Sequence, residues 1–129
     1  MNAELQQLLA LFNARRFADM AARAQTLLIQ HPNTGELWKA LSVAQQMQGQ
    51  DALAALQRSF ALLPNDADLP GNLASLLADR GQHAEAAAAY LQALRLRPAV
   101  PGLHNNLGNA QSALGQHAQA LASYSMRCG

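Results

Sequence analysis

Residues Pro101–Tyr124, PGLHNNLGNAQSALGQHAQALASY, decide the fold. Leu107, Gly108, Gly115, Ala120 and Tyr124 stand at fixed offsets in this stretch. The same offsets, moved back by 34 residues, carry Leu73, Ala74, Gly81, Ala86 and Tyr90. In each copy two runs of helical apolar spacing flank a glycine. A period of this length, filled by two helices and a turn, marks an array of helical hairpins. One hairpin cannot bury its own apolar flank, so it leans on the next.

Working outward, residues 67–100 form the preceding repeat. Leu73, Ala74, Leu76 and Leu77 make its buried stripe, and Gly81 makes its turn. Ala86 and Ala89 are small where two helices cross, and Pro98 closes the repeat. Pro70 is accommodated in the first helical turn, where its missing N–H has no partner to lose. Residues 35–66 give another repeat, with Trp38, Leu41 and Ser42 at its large, large and small positions. Trp38 is expected to plug the seam between neighbouring helices. Gly49 ends the first helix, Asp51 caps the second, and Pro64 closes the repeat. Gly49 precedes Gly81 by 32 residues whereas Ala52 precedes Ala86 by 34. Two residues are missing between Gly49 and Ala52, which predicts a tighter turn there.

Residues 1–34 give the first repeat. Leu5, Leu8, Leu9 and Phe12 predict a helix over 2–14, and Phe17, Met20, Ala21, Ala24, Leu27 and Leu28 a second over 18–30. His31-Pro32 ends it, because the residue before proline is pushed out of helical geometry. The last repeat, 101–129, is incomplete. Leu107, Leu114, Leu121 and Met126 are expected to border a groove that no following repeat covers. That pattern fits either the N-terminal piece of a longer array or an end covered by a second copy.

The composition agrees. Ala and Leu dominate a chain that is 50% hydrophobic but only 5% aromatic, which favours helix over strand. The net charge of +1 gives no electrostatic footprint for nucleic acid. The single cysteine, Cys128, permits no intrachain disulfide. No apolar run is long enough to span a bilayer, and the N-terminus makes a poor signal peptide. A soluble, cytoplasmic protein is expected, with neither membrane nor nucleic acid as partner.

These offsets resemble the tetratricopeptide repeat (TPR) family. The resemblance implies an all-α fold, a right-handed superhelical solenoid of about three and a half repeats, forming one domain over residues 1–129. Arg15 stands where such repeats usually carry Gly; a left-handed Arg costs about 1 kcal/mol, so a looser first turn is expected. The resemblance also implies a non-catalytic scaffold that grips an extended peptide or partner helix on the concave face of the first helices. Repeats three and four, with His104-Asn105-Asn106-Leu107-Gly108-Asn109, look like the arrays in front of O-linked N-acetylglucosamine transferases. That implies an alternative role, recruiting substrate for a larger glycosyltransferase-type enzyme. In those arrays an Asn ladder lines the groove; the matching positions here are Gln6, Ala40, Asn72 and Asn106. The carboxylate clamp of other TPR proteins is rejected, because Leu5 and Leu9 replace its Lys and Asn.

Helix geometry nominates the groove residues: Lys39, Asn72, Ser75, Asp79, Asn105, Asn106 and Asn109, with Glu36 and Gln46 beside them. A carboxamide both donates and accepts, so it can bond a peptide backbone whatever the side chains. No two histidines share an i, i+4 face, so no metal site is expected. No catalytic constellation and no cofactor are expected either. The remaining expected partner is a second copy of the chain, through the uncovered C-terminal end. Asp19 and Arg23 are spaced for an i, i+4 ion pair.

Overall fold

The computed structural model describes residues 2–126; Cys128 and its neighbours Arg127 and Gly129 lie outside the described residues, as does Met1. The fold is all-α, with eight helices and no strand among the described residues. They are α1 (Asn2–Asn13), α2 (Phe17–Gln30), α3 (Gly35–Met47), α4 (Leu53–Leu62), α5 (Asp68–Asp79), α6 (His83–Leu96), α7 (Pro101–Ala113) and α8 (His117–Met126). They fall into two compact units, Met1–Pro64 and Asn65–Gly129.

In the first unit each helix packs on the next in chain order, and α1 also touches α3. The core is built from Leu8, Met20, Ala24, Leu27, Leu28, Leu37, Leu41, Ala44 and Ala55; Phe12 and Phe17 pack against it and stack edge to face on each other. In the second unit α5, α6, α7 and α8 again pack in succession. Leu69, Leu73, Leu77, Tyr90, Ala93, Leu94 and Leu107 are buried there. Leu107 therefore differs from the uncovered residue expected of it: it is buried within the second unit. Leu114, Leu121 and Met126 do stay exposed.

The ends of the helices follow local rules. His31, Leu63 and Arg97 each donate a backbone bond to the carbonyl four residues back, and each is followed by the proline that stops the helix. Pro101 opens α7, and Pro70 lies in the first turn of α5. Asp51 and Asp66 each accept a bond from the N–H two residues ahead, at 3.0 Å. These bonds serve N–H groups that the helix itself leaves unpaired.

Two turns depart from expectation. Arg15 has φ +57°, in the left-handed region with Gly49, Gly81 and Gly115. Its turn is not looser: Arg15 N–H bonds Phe12 O at 3.0 Å and Arg16 N–H bonds Leu11 O at 2.9 Å. Gly81 and Gln82 make the same pair of bonds, to Ala78 O and Leu77 O, at 2.9 Å each. The hydrogen bonds hold the geometry, and Arg15 bears the steric cost. Exchange of Arg15 for Gly should therefore raise stability by up to about 0.5 kcal/mol, the steric relief less glycine's larger unfolded-state entropy. Urea unfolding checks this; a lower midpoint would contradict strain at Arg15.

The expected tight turn between Gly49 and Ala52 is corrected too. The segment between α3 and α4 covers 48–52, longer than the 80–82 turn between α5 and α6, and α4 has 10 residues where α6 has 14. Two deleted residues would swing a continuous helix by about 200°. The chain gives up the first turn of α4 instead, which keeps Ala52, Ala55, Leu56 and Ser59 facing inward. Asp19 likewise pairs with Arg16, at 2.6 Å, rather than with Arg23, whose guanidinium reaches Gln7. Arg16 sits at the start of α2, within shorter reach of that carboxylate.

Candidate functional site

Each unit carries a concave face between its two first-of-hairpin helices, and the same repeat register gives the two faces opposite chemistry. In the first unit α1 and α3 flank a concavity of about 280 Å³ lined by Leu5, Leu8, Leu9, Phe12, Met20, Glu36, Lys39, Ala40 and Val43. Lys39 lines this apolar hollow. In the second unit α5 and α7 flank two adjoining concavities of about 280 and 250 Å³, which share Ser75, Tyr90 and Asn106. The first also takes in Asp79, His83 and Asn109, and the second takes in Asp68, Asn72 and Arg97.

The contrast comes from two repeat positions. One carries Leu9 and Val43 in the first unit but Ser75 and Asn109 in the second. The other carries Gln6 and Ala40, then Asn72 and Asn106. These side chains share one helix face, spaced i, i+3.

Tyr90 forms the floor of the polar face. It is 3% exposed, so its ring is core, yet its hydroxyl lies 3.3 Å from the Ser75 hydroxyl. One repeat on, the Tyr124 hydroxyl donates to Asn109 Oδ1 at 2.7 Å. The second-helix tyrosine thus steadies the equivalent groove residue in both hairpins. At one end Arg97 pairs with Asp68 at 3.2 Å. Asn72, Asp79 and Asn106 make no side-chain bond to other described residues. His83 Nδ1 is buried and also without a partner.

Of the seven residues nominated from the sequence, Asn72, Ser75, Asp79, Asn106 and Asn109 come together on this face. Asn105 is half-buried and does not line it. Lys39 belongs to the other unit. The groove residues nominated from the sequence did not include Tyr90 or His83. The repeat of Tyr at Tyr90 and Tyr124 was the available signal, since a buried phenol needs a partner.

Trp38 and His104, which share a repeat position, each bond the carbonyl of the proline six residues back. Trp38 Nε1 donates to Pro32 O at 2.8 Å, and His104 Nε2 lies 2.9 Å from Pro98 O. Each ties a first-of-hairpin helix to the proline turn before it. Among the described residues no cluster of three or more His, Cys, Asp or Glu could hold a metal ion. No helix there is long and apolar enough to cross a membrane.

Successive helical hairpins of this period, with a concave face on their first helices, give the chain an all-α helical-repeat fold. Residues 74–115 match the family model described as TPR repeat. The whole chain is similar to solved structures of MamA. One has 21% identity and a TM-score of 0.85 over 98% of this chain and 75% of that one. A second, designated AMB-1, has 21% identity and a TM-score of 0.87 over 96% and 69%. A third, designated MSR-1, has 20% identity and a TM-score of 0.80 over 96% and 72%. At such identities the likeness speaks to the fold. No curated protein sequence shows significant similarity to this chain.

Proposed function

We propose that the chain is a non-catalytic protein-interaction scaffold whose second unit holds an extended peptide between α5 and α7. The observation that carries this reading is the pair Asn72 and Asn106. Both carboxamides line a concave face and neither is used inside the protein. Each can give an N–H and take one from a peptide backbone, which secures affinity without fixing the peptide's sequence. The Tyr90 hydroxyl lies against Ser75, so the protein side of the groove needs little ordering on binding. The TPR-type fold supports the reading, because concave helical repeats serve as extended binding surfaces. A cytoplasmic setting belongs to the same reading.

Two narrower roles draw on other features. Recruitment of substrate for an attached glycosyltransferase rests on the string 104–109. Self-association would use α8, where Leu121 and Met126 are 68% and 58% exposed. Neither is needed for peptide holding.

The test uses peptides selected from a random library on the full wild-type chain. Asn72→Ala combined with Asn106→Ala should weaken their binding about tenfold, the loss of two modest hydrogen bonds. Helical circular dichroism should be unchanged, since Asn72 is exposed and Asn106 only half-buried. Unchanged affinity would sink the proposal.

A further inference from the structure

The polar face is not electrically neutral along its length. Around Asp79 the lining is Ser75, His83, Tyr90, Asn106 and Asn109 with Ala78 and Ala110, and no lysine or arginine is among them. The Asp79 carboxylate is exposed and has no partner among the described residues. The other acid of this face, Asp68, is matched by Arg97.

Asp79 also stands where a negative charge is least welcome. It is the last residue of α5, at the end where unpaired carbonyls already concentrate negative potential. The first helices of the other hairpins end in the uncharged Asn13, Met47 and Ala113. A carboxylate that the helix opposes, and that makes no ion pair even with the adjacent Arg80, is spare capacity for a cation. Tyr90 Oη, Asn106 Oδ1 and Asn109 Oδ1 are further oxygens of the same lining, able to accept from an ammonium or guanidinium.

We infer that the second unit's concave face selects peptides carrying a lysine or arginine, whose cationic head seats against Asp79. This rests on the peptide-holding reading and adds the ligand's charge to it. Backbone bonds at Asn72 and Asn106 fix the strand, and the Arg97–Asp68 pair at the far end makes the two directions of the peptide unequal. Because the seat is open to solvent, salt should weaken it.

The full chain is used to select from a library of random ten-residue peptides, as wild type, Asp79→Asn and Asp79→Lys. The wild type should enrich Lys or Arg at one position. Asp79→Asn should lose that enrichment and bind the wild-type-selected peptides about tenfold more weakly. Its melting temperature should be equal or higher, which a merely structural role for Asp79 would not give. Asp79→Lys should enrich Asp or Glu instead. Wild-type peptides with no charge preference, weakened by the Asn72/Asn106 double change, would overturn the basic-peptide inference and leave peptide holding intact. Failure of the wild type to select any peptide would overturn both.

Discussion

Exchange of Leu37 for Ala should cost about 2–5 kcal/mol, as large buried aliphatics truncated to Ala do. Leu37 is 0% exposed and lies on α3 within the cluster that joins Leu8, Met20, Ala24, Leu27, Leu41, Ala44 and Ala55. Those neighbours come from four helices, so no single element can collapse into the cavity without pulling on the others. Total stabilities of domains run to about 5–15 kcal/mol, so the loss would be a large share. Urea denaturation followed by circular dichroism measures it. A cost below about 1 kcal/mol would show that the hairpins of the first unit do not share one core.

Gly35→Ala should cost about 1–3 kcal/mol, through overpacking rather than a cavity. A Cβ at Gly35 would sit 2.5 Å from Leu63 Cγ and 3.0 Å from Leu62 Cβ. Those atoms lie close to their own backbone and cannot swing away as a long side-chain tip could. The backbone approach is also pinned, because the buried Ser59 hydroxyl donates to Gly35 O at 3.1 Å. Combining Gly35→Ala with Leu63→Ala should cost less than the sum of the two changes, since the second makes room for the first. Simple additivity in a double-mutant cycle would contradict the steric account.

The two glycines that pack teach what the sequence could tell. Gly49, Gly81 and Gly115 were legible as turn residues, because their spacing repeats and each takes φ near +70 to +79°. Gly35 was legible only as the start of a repeat. Its role depends on where Leu62 and Leu63 arrive from the far end of the same hairpin, which no local pattern records. Gly108 is similar: a Cβ there would meet the Tyr124 ring at 2.6 Å. The bounds of α1 and α2 were readable within a residue, since apolar period and proline position are local signals. The outcome of the two-residue deletion after Gly49 was not. Turn length and helix phase compete there, and burial of Ala52 and Leu56 decides.

The candidate site divides the same way. One face of α5 supplies Asn72, Ser75 and Asp79 and the equivalent face of α7 supplies Asn106 and Asn109, and helical spacing predicts that each set lines up. The split between a polar face and an apolar one needed the register of Leu9 and Val43 against Ser75 and Asn109. Tyr90 belongs to core and site at once: its ring is buried while its hydroxyl reaches Ser75. A pattern of apolar positions records the first role and not the second.

The most direct measurement is amide chemical-shift mapping of the full chain by NMR, titrated with a peptide selected on the wild type. Shifts should concentrate at Asn72, Ser75, Asp79, Asn106 and Asn109, and saturate together. Shifts confined to the outer surface of α6 around Leu91, or to α8 around Leu121, with the α5–α7 face silent, would contradict a peptide held between those helices.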